Sequence, residues 1–149
     1  MKAFFAGSFD PFTIGHRSIV ERALRLFPSL VIAIGYNEHK PGEWSVEQRL
    51  AAIGEYYADN PSVEVMAYRG LTVDAATDAG ASVLIRGVRG VADFEYERNL
   101  ADTNREISGM ETVLLFCEPD LAFISSSMVR ELHHNGHDIT KYIVGNLPT

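Results

Sequence analysis

Short apolar runs alternate along the chain with segments whose apolar positions recur at helical spacing. Lys2 to Gly7, Leu30 to Gly35, Val63 to Ala67, Ser82 to Ile85 and Thr112 to Cys117 read as five strands. Between the first two, Ile19, Val20, Ala23, Leu24 and Phe27 share one face of a helix running from His16 to Phe27. Ser45, with Gln48 three residues on, is a capping-box pattern; the helix it opens repeats Val46, Leu50, Ile53 and Tyr57 at i, i+4, i+7 and i+11. Thr72 to Asp78 reads as a short helix closed near Gly80, and Ala92 to Ile107 as a long one. Ser126 to His134 is a helix stopped by Asn135-Gly136, followed by a turn from Asp138 to Val144.

Alternating β and α elements with nearly continuous apolar strands predict a doubly wound α/β fold: a parallel five-stranded sheet with helices on both faces, Rossmann-like in plan. Ligands of such sheets bind beyond the carboxyl ends of the strands. The loops to search are therefore 8–15, 36–44, 68–72, 86–91 and 118–126.

Composition narrows the setting. The 149 residues suit one domain, 1–149, with no linker, repeat or low-complexity tract. The single cysteine, Cys117, lies in an apolar run, which predicts a buried inert thiol and a reducing compartment. No apolar run reaches the ~18 residues of a membrane span, and Met1 to Phe5 leads into the first strand without a signal-peptide pattern, so a cytoplasmic protein is expected. A net charge of −7 opposes a broad nucleic-acid or anionic-membrane surface. It leaves room for a small anionic ligand held by a few cations, which Lys40, Arg86, Arg89 and Arg130 can supply.

Two familiar phosphate loops are missing: there is no G-x-x-x-x-G-K-[ST], and no G-x-G-x-x-G follows the first strand. In their place stands Gly7-Ser8-Phe9-Asp10-Pro11-Phe12-Thr13-Ile14-Gly15-His16. Gly7 and Ser8 let a ligand approach the strand end, Asp10-Pro11 makes a rigid turn, and the following helix start offers free amides and a positive dipole to phosphate. His16 is placed to donate to a phosphate oxygen, or Thr13 and His16 simply cap the helix. Arg86, where the fourth strand is predicted to give out, can grip an anion with two prongs; Arg89 further along is a ligand or a solvated side chain. Ser125-Ser126-Ser127 exceeds what one N-cap needs. Lys40 lies in a polar loop, where lysines are usually solvated. Glu95 and Glu97 lie in the long helix with i, i+3 or i+4 neighbours such as Arg98, so a structural ion pair competes with a nucleotide contact. His133, His134 and His137 straddle a helix end, a place the dipole favours for histidine, and a metal site is not expected there.

The segment Thr13-Ile14-Gly15-His16 resembles the T-x-G-H signature of the nucleotidyltransferase and class I aminoacyl-tRNA synthetase superfamily. Read with Gly7-Ser8-Phe9-Asp10-Pro11, Leu84-Ile85-Arg86-Gly87-Val88-Arg89, Ala92-Asp93-Phe94-Glu95-Tyr96-Glu97 and Phe123-Ile124-Ser125-Ser126-Ser127-x-x-Arg130, the chain resembles the bacterial phosphopantetheine adenylyltransferases over nearly its whole length. The resemblance implies AMP transfer from ATP to 4'-phosphopantetheine, giving dephospho-coenzyme A and pyrophosphate, with Mg2+ and in a homohexamer. It implies that His16 and Lys40 are catalytic, and that Ser8, Lys40, Thr72 and Arg86 hold the acceptor. ATP would meet Ser8, Phe9, His16, Gly87, Val88, Arg89, Glu97, Leu121, Ala122, Phe123, Ile124, Ser125, Ser126 and Ser127.

The chain departs from the family pattern in four places. Ser8 stands where threonine is usual, Leu121 where tryptophan is common, and Glu38-His39-Lys40-Pro41 where a more basic run is frequent; most of the usual C-terminal helix is also lacking. The acceptor phosphate is already anionic, so attack on the α-phosphorus requires alignment and charge neutralisation and no general base. Magnesium would bind mostly phosphate oxygens and water. The competing readings are a nucleotidyltransferase acting on nicotinamide mononucleotide or a polyol phosphate, and a non-catalytic nucleotide-binding regulator.

Overall fold

The computed structural model describes residues 1–148. Five strands, β1 (Lys2–Gly7), β2 (Ser29–Gly35), β3 (Val63–Tyr68), β4 (Val83–Val88) and β5 (Glu111–Phe116), form one sheet in the order β3-β2-β1-β4-β5. Every pairing is parallel. The helices are α1 (Ile14–Ala23), α2 (Val46–Tyr56), α3 (Thr72–Asp78), α4 (Val91–Ser108) and α5 (Ser126–His134), with a 3-10 turn at Pro119–Leu121. The chain winds outward from β1 to β3, then crosses back to β4. The switch point, where ligands collect, thus falls between the ends of β1 and β4.

Because successive side chains point to opposite faces, the strands carry two cores. On one face Phe5, Leu30, Ile32, Ile34 and Ile85 pack under Ile19, Val20 and Ala23 of α1 and Ile53 of α2. On the other, Phe4, Val31, Ala33 and Leu84 meet Val73, Ala75 and Ala76 of α3. A third cluster, Ile124, Val129, Ile139 and Ile143, ties α5 and the closing turn to Ile14 of α1.

The expected boundaries hold for β1, α3 and α5 and shift elsewhere. Helix α1 begins at Ile14, two residues early, because Thr13 is its cap, and it ends at Ala23. Strand β4 runs three residues past Ile85, since its ladder with β5 continues through Arg86↔Leu114, Gly87↔Leu115 and Val88↔Phe116 after β1 has ended its pairing. Arg86 and Gly87 therefore stand on a strand, where the sequence reading placed a loop. Cys117 lies just beyond β5 and is half-buried, its amide bonded to the Val88 carbonyl. It lines a cleft instead of sitting in the core.

Candidate active site

The loop after β1 is built around two close approaches. Phe9 adopts a positive φ of 48°, which folds its ring back over Gly7; a Cβ at Gly7 would lie 2.9 Å from that ring. The ring is buried and meets Phe5, Phe12 and His16 edge-on. The second approach is Asp10, whose carboxylate accepts from the amides of Glu43 (2.8 Å) and Trp44 (3.1 Å). It presses so close to Gly42 that no side chain fits there: a Cβ would contact Asp10 Oδ2.

His16 combines both readings offered by its position. The Thr13 amide donates to His16 Nδ1 (2.9 Å), and the His16 amide donates to Thr13 Oγ1 (3.3 Å), a reciprocal capping box with histidine in the usual Glu or Gln place. With Nδ1 accepting, the proton belongs on Nε2. Burial, then the charges of Arg86 and Arg89, pull the His16 pKa from 6.5 down to about 3. The imidazole is thus a neutral donor, held by its own helix and by stacking on Phe12.

Two cavities open at the switch point. The first, about 290 Å³, lies on the α1 and α5 face and is lined by Ser8, His16, Arg86, Gly87, Arg89, Leu121, Ile124, Ser125–Ser127 and Arg130. Two helix N-termini converge on it, those of α1 and α5. Their serines divide the work: Ser125 caps α5 by accepting from the Met128 amide, Ser126 Oγ donates to the Pro11 carbonyl, and Ser127 Oγ accepts from Arg130. The second cavity, about 320 Å³, lies on the α3 and α4 face, between Tyr68, Thr72, Tyr96, Glu97, Leu100 and Asn104. Among the described residues only Ala6, Gly7, Ser8 and Arg86 border both.

Arg86 is the wall between them. Its Nε and Nη2 donate to the two carboxylate oxygens of Glu97 (2.8 and 2.7 Å), and Nη1 donates to the Ala6 carbonyl (2.6 Å). Burial works against its charge, but the Glu97 hydrogen bonds and charge outweigh that and hold its pKa above the ordinary value. Glu97 is buried and pairs across the fold with Arg86, where the sequence reading offered a neighbour on its own helix.

The remaining candidates are placed less centrally. Phe9 lines the first cavity, but its ring belongs to the core. Val88 is buried, Ala122 is half-buried and Phe123 is exposed against Tyr142; none of the three borders either cavity. Thr72 borders the second cavity and hydrogen bonds to Tyr68 Oη (2.8 Å). Lys40 is exposed in the loop after β2, tied only through its backbone to Asn37. Arg89 pairs with Asp93 (3.1 Å) at the rim. His133 lies against the Trp44 ring and His134 bonds to Glu43. Among the described residues no group of three or more His, Cys, Asp or Glu is arranged to hold a metal.

Sequence reasoning missed Arg49, which reads as one polar position on an amphipathic helix. It is buried, with Nε donating to the Trp44 carbonyl (3.0 Å) and Nη1 to the Ser8 carbonyl (2.7 Å).

Comparison with known proteins identifies the family. Residues 4–132 match the Cytidylyltransferase-like family. The chain is 53% identical over 141 residues to the phosphopantetheine adenylyltransferase of Porphyromonas gingivalis, covering 95% of this chain and 92% of that one. The chain belongs to the phosphopantetheine adenylyltransferase family. Other members include the Bacteroides thetaiotaomicron protein, 49% identical over 95% of this chain, and the Cutibacterium acnes protein, 42% identical over all of it. The fold reaches beyond this family. A bifunctional NMN adenylyltransferase/ADP ribose pyrophosphatase from Francisella tularensis superposes with a TM-score of 0.75 at 16% identity, over 95% of this chain and 44% of that one.

Proposed function

We infer that this adenylyltransferase moves AMP from ATP to 4'-phosphopantetheine, yielding dephospho-coenzyme A and pyrophosphate. Membership of the family supports the reaction. The observation that carries its placement is the pair of cavities meeting only at Ala6, Gly7, Ser8 and Arg86. A two-substrate transfer needs two chambers and one shared point, and this switch point provides both.

The nucleotide belongs in the first cavity, where two helix N-termini, Arg89 and Arg130 face its phosphates. The acceptor's phosphate belongs at Ser8 and Arg86, with its uncharged arm along Thr72, Tyr68 and Leu100 in the second. An acceptor phosphate oxygen attacks the α-phosphorus in line; the new O–P bond forms as the bond to pyrophosphate breaks, and the electron pair leaves with pyrophosphate. His16 Nε2–H donates to the α-phosphate as negative charge shifts, and Lys40 closes from its loop on the attacking acceptor phosphate, steadying it in the transition state. No proton is removed from the nucleophile.

Magnesium fits this site as a passenger of the triphosphate. The first cavity is lined by arginines, histidine and hydroxyls and, among the described residues, by no carboxylate, so phosphate oxygens and water would supply the ligands of a divalent ion. The assembly is a homohexamer, on family resemblance; exposed Leu71, Val91, Phe94 and Tyr96 on the α3 and α4 side supply apolar surface for self-association. A cytoplasmic setting belongs to this proposal and follows the lone-cysteine reading of the sequence; no described helix is long and apolar enough to cross a membrane. The net charge of −7 leaves nucleic acid outside its partners.

Pyrophosphate release tests the reaction. It should require ATP and 4'-phosphopantetheine together; release from ATP alone at the same rate would replace transfer with hydrolysis.

A further inference from the structure

Asp10 and Arg49 form a buried charged pair beneath the site, each 5% exposed. Their closest approach is 3.9 Å, longer than a hydrogen bond, so neither spends its best donor or acceptor on the other. Asp10 gives both carboxylate oxygens to the backbone of the loop after β2, at Glu43 and Trp44. Arg49 gives its donors to backbone carbonyls of Trp44 and Ser45 in that loop, and of Ser8 in the loop after β1. Arg130, from α5, completes the bundle by donating to the Asp10 carbonyl (2.7 Å).

We propose that Asp10 and Arg49 are positioning residues that lock the Ser8 loop and the Lys40-bearing loop into one rigid unit for the acceptor phosphate. Ser8 and Lys40 come from different strand ends, and the stretch from Asn37 to Gly42 is held only at its surface: the Lys40 amide bonds to the Asn37 carbonyl, Glu38 pairs with Arg69, and the Lys40 side chain itself is exposed. The root of its loop is fixed instead. Gly42 lies against the Asp10 carboxylate with no room for a Cβ, and the next two amides end on the same group. A buried ion pair is a poor device for stability alone, because an apolar pair of similar volume often does as well or better. What an apolar pair cannot do is hold two separate loops of backbone at hydrogen-bond distance. Positional tolerance in phosphoryl-type transfer is small, so loosening this unit reaches the chemistry without touching substrate.

The inference rests on the adenylyl-transfer reading, and steady-state kinetics with both substrates varied separate the two. Asp10→Asn keeps the shape but can accept only one of the two amides, so it frees the Lys40 loop. It should raise the acceptor KM about tenfold while the ATP KM stays within about twofold. Arg49→Met releases Ser8, which borders both cavities, and should lower kcat about tenfold; Arg49→Lys, keeping one donor, should recover most of that loss. Amide exchange at Glu43 and Trp44 should quicken in Asp10→Asn, in melts that remain cooperative. A merely structural pair would lower the melting temperature and the active fraction while leaving both KM values unchanged, and that result, in Asp10→Asn and Arg49→Lys alike, overturns the proposal. An inactive wild type would sink the adenylyl-transfer reading and this inference with it.

Discussion

The two cavities share a wall and differ in almost everything else. The one on the α1 and α5 face is made by loops and helix starts: Ser8, the Thr13–His16 box, the Ser125–Ser127 run and rim arginines, groups that meet negative charge with dipoles and donors. The one on the α3 and α4 face is made by side chains of regular elements, Phe4 and Leu84 from the sheet and Tyr96, Leu100 and Asn104 from α4, with one charged pair at its mouth. The first suits a polyanion, the second an uncharged arm. On the proposed function, one α/β switch point assigns two substrates by building one side from amides and the other from packing.

Arg86→Ala breaks the wall itself and should have the largest effect. Removing the guanidinium leaves the buried Glu97 carboxylate without a partner, a loss of about 3–5 kcal/mol in unfolding free energy. Urea denaturation checks it, and Arg86→Ala/Glu97→Ala should be more stable than Arg86→Ala alone. A stable Arg86→Ala would mean that Glu97 is not uncompensated in its absence.

His16→Ala should confine its damage to the polyanion side. Turnover should fall about 100-fold or more, as for loss of one transition-state donor, with the acceptor KM little changed. Rapid-quench turnover measures this; near-normal turnover in a folded variant removes His16 from the chemistry.

Lys40→Ala sharpens the assignment of the acceptor. It should weaken phosphopantetheine binding by about 1.5–3 kcal/mol and ATP binding less, as read by calorimetry with each ligand. Equal losses for the two ligands would place Lys40 on the nucleotide.

The smallest expected effect is on stability against pH. His16 titrates near 6.5 in the unfolded chain and near 3 in the fold, so below pH 6.5 the unfolded state binds a proton that the native state refuses. Stability is therefore lost as pH falls through that window, by about 1.4 kcal/mol from this residue at about pH 5.5. His16→Asn should show a shallower acid limb; matching limbs would mean that the imidazole is not held neutral.

Much of the first cavity was legible in the sequence, because its parts are contiguous. Thr13 to His16 and Ile124 to Ser127 each carry their own cap, and local hydrogen bonds decide where they point. The fold was legible for a similar reason: strand runs and helical repeats are local patterns. What the sequence concealed is long-range. Glu97 has several helical neighbours, but its partner is Arg86 on β4, eleven positions away in the chain and across the sheet face. Arg49 sits on α2 among polar residues, and only the folded chain brings Ser8 and Trp44 within reach of it. The end of β4 was placed early because the apolar run stops at Ile85, whereas the ladder that extends it is set by β5.

The division of labour between the cavities is tested most directly by competition among acceptors. With ATP held constant and 4'-phosphopantetheine, nicotinamide mononucleotide and glycerol phosphate present together, products resolved by mass should be dominated by dephospho-coenzyme A, because the second cavity, as the proposed acceptor site, offers a second base little aromatic surface beyond Tyr68 and Tyr96. Preferred formation of the nicotinamide dinucleotide, or products in near-equal amounts, would contradict the assignment of that cavity while leaving adenylyl transfer in place.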